Sequence, residues 1–128
     1  MMRLMKERES LNVVADQQGC PTYAADLAAA IMKIIEQLPY QADPAIPAAT
    51  IFSYSNKGAI NWYQFATAIK EISGSKCAVN PIPSSQYPTP AKRPAYSVMD
   101  ISKIENAFRL SIPGWRASLE KCMALLMN

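Results

Sequence analysis

The sequence predicts an α+β fold, with three to four amphipathic helices and a few short strands in a single domain over residues 1–128. Three observations predict it. Apolar residues recur at helical spacing in separate blocks, as at Leu27, Ile31, Ile34, Ile35 and Leu38. Short β-branched or aromatic runs, such as Leu11–Ala15 and Thr50–Tyr54, lie between those blocks. With 128 residues, half of them apolar, the chain has room for one modest core and no more.

The opening stretch Met1–Arg8 reads as the last turns of an amphipathic helix and is too charged for a secretory signal. Leu11–Ala15 follows as a strand, and Asp16–Pro21 as a polar turn broken by Gly19 and Pro21. Thr22 is placed to cap the next helix, which Pro39 stops. Tyr40–Ala49 reads as a surface loop, Thr50–Tyr54 as a strand and Ser55–Gly58 as a turn. Asn61 followed by Gln64 forms a capping box, and Phe65, Ala66, Ile69 and Ile72 give that helix its buried stripe, with Gly74 as its stop. Val79–Pro83 is extended, because a residue before proline avoids the helical region. Five prolines between Pro81 and Pro94 make a constrained loop. Tyr96–Met99 reads as a short strand, and Asp100 caps a short helix carrying Ile104 and Phe108. The last helix starts near Pro113, with Trp115, Leu119, Cys122, Met123 and Leu126 on its core side.

Composition narrows the function. The net charge of +3, from 13 basic and 10 acidic residues spread along the chain, lacks the clustered basic face of a nucleic-acid binder. No apolar run approaches the roughly 20 residues that span a bilayer. With no histidine, Ser-His-Asp and Cys-His catalysis are excluded within the chain. Cys20, Cys77 and Cys122 have no metal-like spacing and read as reduced thiols, two of them buried, in a cytoplasmic protein. The four glycines are too scattered for a phosphate-cradling turn, and no tyrosine has a lysine four positions later. The ten carboxylates leave room for an acid/base pair in space, but nothing in their spacing points to one, so the sequence marks no catalytic, cofactor or metal site.

Two segments go beyond what folding requires. The loop Asp16–Tyr23 feeds a helix amino terminus, whose N–H groups and partial positive charge suit a polar or anionic ligand; it also reads as a plain strand–turn–helix connection. In Tyr87–Ser97, prolines on both sides present Arg93 from a stiff platform, and its planar fork suits a diphosphate; a solvated Lys92-Arg93 pair is the plainer alternative.

In order and spacing, several strings resemble the dTDP-4-dehydrorhamnose reductase family of extended short-chain dehydrogenase/reductases. They are Met-x-Arg-Leu-x-Lys-Glu-Arg at the start, Asp-Gln-x-Gly-x-Pro-Thr from Asp16, Asp26-Leu27-Ala28, Trp62-Tyr63-x-Phe65-Ala66, and Tyr-Pro-Thr-Pro-Ala-x-Arg-Pro-x-x-Ser from Tyr87. The resemblance implies the small carboxy-terminal substrate-binding region of such a reductase, without its amino-terminal Rossmann domain. It further implies a dTDP-sugar as ligand, NADPH as the cofactor of the full-length enzyme, and reduction of dTDP-4-dehydro-L-rhamnose to dTDP-L-rhamnose. The chain alone is then inactive. Arg93 is the residue for the diphosphate, with Gln17, Gln18, Thr22 and Tyr87 lining the same cleft. Trp62 either stacks on the ligand or packs into the core. A face meant for the Rossmann domain would be apolar and would promote self-association. A non-catalytic regulatory subunit of the same fold family is the alternative reading.

Overall fold

Short amphipathic segments punctuated by proline and glycine give a chain of many small elements. The structure, a computed structural model, describes residues 1–38 and 50–127. Along the chain run α1 (Met2–Glu7), β1 (Ser10–Val14), β2 (Gln18–Gly19), α2 (Ala24–Gln37), β3 (Ile60–Asn61), α3 (Trp62–Ser73) and β4 (Ala78–Ile82). A 3-10 turn at Ser84–Gln86, then α4 (Ser102–Phe108) and α5 (Trp115–Met127), complete it. The class is α+β as expected, with five α-helices among the described residues rather than three or four, the opening turns forming one of their own. The loop expected over Tyr40–Ala49 lies outside the described residues. No described helix is long and apolar enough to cross a membrane.

β1 and β4 pair in parallel from Ser10↔Ala78 to Val14↔Ile82, which sets Val13 opposite Pro81. The Ala78 N–H donates to the Glu9 carbonyl at 2.7 Å. β2 and β3 form a two-residue antiparallel pair, Gln18↔Asn61 and Gly19↔Ile60. Two apolar clusters hold the elements together. The first gathers Met5, Leu11, Val13, Ala66, Ile69, Leu119 and Met123 from α1, β1, α3 and α5. The second gathers Ala30, Ile104, Phe108, Leu110 and Ile112, with Phe52 and Tyr54 packed against it.

The local signals of α3 act as read. Asn61 Oδ1 accepts the Gln64 N–H at 2.8 Å, Gln64 Oε1 accepts the Asn61 N–H at 2.9 Å, and Gly74 ends the helix at φ 65°. Other expectations are corrected. Thr50–Tyr54 forms no strand among the described residues; its aromatics pack on the cluster around α4, Phe52 meeting Phe108 edge-on at 5.1 Å. Tyr96–Met99 makes one isolated bridge, Tyr96 to Gln18, and no strand. Of the cysteines Cys77 alone is buried, Cys20 and Cys122 being half-buried, and all three are free. The stripe on α2 is largely open: Ile31, Ile35 and Leu38 are each about half exposed, and Ala30 is the residue that faces the core. On α5, Leu126 is exposed while Leu119 and Met123 carry the packing.

Thr22 does not cap α2. The helix starts from Tyr23 with no side-chain cap, and the Tyr23 N–H is met at 2.7 Å by Oδ1 of Asn56, 33 residues away. Asn56 is 1% exposed, so its amide needs internal partners. Its Nδ2 donates to Asp26 Oδ2 at 2.7 Å, Ser118 Oγ at 2.9 Å and the Pro113 carbonyl at 3.3 Å. The Ser118 hydroxyl donates in turn to the same Asp26 oxygen. One buried amide thus ties together the start of α2, the approach to α5 and α5 itself. Nearby, Gly58 lies at φ 104°, and a Cβ there would stand 2.7 Å from Trp115 Cδ1, so the loop after Asn56 passes α5 without room for a side chain.

Replacing Asn56 by Ala leaves Ser118 and the Tyr23 amide short of a partner inside the protein. The expected loss is about 3 kcal/mol of unfolding free energy, measured by chemical denaturation. A loss under about 1 kcal/mol would show that solvent replaces these bonds.

Candidate functional site

The polar turn after β1 organises the site. Gln18 is bonded on both sides of its backbone to the end of the proline-rich segment: its N–H donates to the Ala95 carbonyl, and its carbonyl accepts the Ser97 N–H, each at 2.8 Å. The Ser97 hydroxyl donates to the same carbonyl at 3.1 Å. Gly19 permits the approach, since a Cβ there would meet Ser97 Oγ at 3.0 Å. Through β2 and β3 the same turn is paired with the residues that open α3, which brings Trp62 alongside.

These elements enclose two adjoining hollows. The first, about 400 Å³, is lined by Gln17, Gln18, Gly19, Cys20, Pro21, Ile60, Asn61, Trp62, Phe65, Arg93, Pro94 and Ser97. The second, about 700 Å³, runs from apolar residues of α1 and β1, such as Leu4, Leu11 and Val13, to the segment Ser84–Arg93. Gln17, Trp62 and Arg93 belong to both and form the wall between them. Both volumes fall within the range of small-molecule sites. No carboxylate lines either hollow among the described residues; the charged side chains are Arg93 in the first, joined by Lys92 in the second. The field in this cleft therefore favours an anion.

Trp62 is both packed and open. Its ring meets Phe65 edge-on at 6.5 Å, Phe65 meets Trp115 at 6.3 Å, and 48% of Trp62 stays exposed. A flat apolar surface backed by the core and open on one side can take a planar ring.

Of the six residues singled out from the sequence, the structure brings Arg93, Gln17, Gln18 and Trp62 to one hollow and places Tyr87 on the second. Thr22 lines neither. The start of α2 is likewise turned to structural use, its first turn held by Asn56, while α3 is the helix that begins at the hollow. Asn61, Phe65 and Ser97 also line the first hollow, though the sequence marks none of them as a site residue. Asn61 and Phe65 already had folding roles as cap and core, whereas Ser97 closes the proline-rich string and was readable there. The four glycines fall in four separate places and offer no cradle for a dinucleotide phosphate. No cluster of metal-ligating side chains occurs among the described residues.

A sequence profile described as the RmlD substrate binding domain matches residues 1–128. The chain belongs to that family. Over 133 residues this RmlD-type domain is 37% identical to a dTDP-4-dehydrorhamnose reductase of Sinorhizobium fredii, a match that takes in 100% of the chain and 44% of that protein. Among solved structures, it matches a dTDP-4-dehydrorhamnose reductase of Clostridium acetobutylicum with a TM-score of 0.84 at 32% identity, over 99% of this chain and 42% of that one. It also matches the enzyme of Bacillus anthracis in complex with NADP, with a TM-score of 0.80 at 35% identity, over 94% of this chain and 40% of that one. The RmlD-type domain described here thus spans about two fifths of the relatives it matches.

The far end of the proline-rich segment is tied to the same turn. Both Asp16 carboxylate oxygens accept the Ser84 N–H, at 3.0 and 2.9 Å, and the Ser84 hydroxyl donates at 2.9 Å. The Ser84 backbone N–H, foremost, holds the Asp16 carboxyl below the ordinary aspartate range; loss of solvation opposes it, and the Ser84 hydroxyl adds to the lowering. A lowered carboxyl pKa means that the contact is fully present above the ordinary value and is lost as pH falls through the folded-state value. The Ser84 amide resonance is therefore expected to titrate with a midpoint below that of an unperturbed aspartate in an NMR pH series. A midpoint at the unperturbed value would mean that the bond is not kept in solution.

Proposed function

We propose that this domain holds the dTDP-sugar of a dTDP-4-dehydrorhamnose reductase, the enzyme that reduces dTDP-4-dehydro-L-rhamnose to dTDP-L-rhamnose with NADPH. The observation that carries the reading is the convergence of Arg93, the Gln17–Gln18 turn and Trp62 on one acid-free cleft. Arg93 offers the diphosphate two parallel charge-assisted hydrogen bonds. Gln17 and Gln18 supply amide donors and acceptors, and Trp62 a face for the base. Tyr87 borders the larger hollow on the other side of that wall.

NADPH supplies the hydride in this reaction, and these residues do not fit it: their glycines are dispersed, and no tyrosine–lysine pair at the required spacing is present. The cofactor and the proton donor belong to a Rossmann domain outside this region, and residues 1–128 alone are inactive. The role of this domain is to bind and orient. Energy from the remote nucleotide then supports placement of the reacting carbon. The unpaired cysteines suit a reducing, cytoplasmic setting. The half-exposed apolar residues of α2, including Ile31, Met32 and Ile35, suit contact with the Rossmann domain or, in its absence, with another copy.

Calorimetric titration of dTDP into the 128-residue chain tests the reading. Saturable binding is expected, weakened roughly tenfold or more by Arg93→Ala, the scale of a hydrogen bond to a charged group. In the complete reductase the same change raises KM for the dTDP-sugar and leaves KM for NADPH in place. Affinity unaltered by loss of the guanidinium would remove the diphosphate from this cleft.

A further inference from the structure

Residues 84–97 form a strap whose two ends are fastened to one three-residue stretch of the turn. Ser84 is held by the Asp16 carboxylate. Ala95 and Ser97 are held by the Gln18 backbone. Between these fastenings Tyr87, Arg93 and the intervening residues are all exposed, and no apolar packing fixes them. The prolines at 88, 90 and 94 stiffen the span locally but do not say where it sits. Gln17, flanked by the two fastening residues, lines both hollows. The Gln18 fastening is made by backbone atoms and survives most substitutions. The Asp16 fastening depends on one side chain, which itself lines neither hollow.

We propose that Asp16 is a positioning residue for ligand binding: by gripping Ser84 it sets the strap, and so holds the Arg93 guanidinium over the wall shared by the two hollows. The inference rests on the nucleotide-sugar reading and adds to it a residue that never touches the ligand. Asp16 is held to acceptors-only chemistry here, so its partner must be a donor, and Ser84 supplies both an N–H and an O–H. Bonds between a charged acceptor and a backbone donor are among the stronger ones and are suited to fixing a loop.

The test uses the 128-residue chain with dTDP as probe, and two readouts: dTDP affinity by calorimetry, and amide relaxation of residues 85–93 by NMR without ligand. In Asp16→Ala the strap amides become mobile and dTDP affinity falls about fivefold or more, while Asp16→Asn, which keeps one acceptor for the Ser84 N–H, stays within about twofold of the parent. The double variant Asp16→Ala with Arg93→Ala binds no more weakly than Arg93→Ala alone, within about twofold, because the carboxylate works through the guanidinium. Ser84→Pro gives an independent route if Asp16→Ala does not fold. Pro83 is extended at φ −73° and ψ 155°, as a residue before proline should be, and the change removes both Ser84 donors. It is expected to reproduce the mobile strap and the weaker binding.

A strap that stays rigid in Asp16→Ala overturns the proposal. So does dTDP affinity at the parent level while Arg93→Ala is weak, and that result leaves the nucleotide reading standing. Additive losses in the double variant also overturn it, since Asp16 would then act apart from Arg93. If Arg93→Ala itself binds like the parent, the nucleotide reading fails and the role of Asp16 fails with it.

Discussion

The fold hangs on the buried amide of Asn56. An unsatisfied amide in the interior is costly, so its position is set by where four partners can meet it. Those partners come from Tyr23, Asp26, Pro113 and Ser118. Pro113 adjoins Ile112 of one apolar cluster, and Ser118 adjoins Leu119 of the other. Once the loop at Asn56 is fixed, the Lys57 carbonyl accepts the Trp115 N–H at 2.9 Å and Ile60–Asn61 is delivered to Gln18–Gly19. The turn that carries the strap is thereby placed. Distance from the cleft does not make this amide remote from its function.

Local chemistry was legible and tertiary partnership was not. The Asn61–Gln64 box and the Gly74 stop act within a few residues, so the sequence holds all the information they need. Pre-proline geometry likewise sufficed to read β4 as extended. Thr50–Tyr54 has strand composition, yet Phe52 and Tyr54 serve the apolar cluster around α4, a tertiary use that the local residues do not announce. Thr22 had the right residue type for a cap, but Asn56 reached the position first. Nothing in Ser55-Asn56-Lys57-Gly58 distinguishes a buried node from a surface turn, because such residues suit both.

The cleft shows the same division. Arg93 and the Gln17–Gln18 loop were readable because proline and glycine mark constrained backbone, and constraint without a packing role draws attention to what it presents. The ambiguity of Trp62 was real: it packs on Phe65 and remains half open, two roles that one aromatic at a helix start can fill together. The floor supplied by Leu4, Leu11 and Val13 could not be read, since apolar residues in a short helix and strand look the same whether they face a core or a cavity.

The register of the parallel pair has one more consequence. Ala78 donates across to β1, so alternation turns residues 79 and 81 toward the outer side of β4. One of these two outward positions, Pro81, has no hydrogen to offer. A strand laid along that rim meets a gap in the row of donors, which weakens pairing there by one hydrogen bond. The ring costs the ladder with β1 nothing, because its missing donor lies on the side turned away from β1.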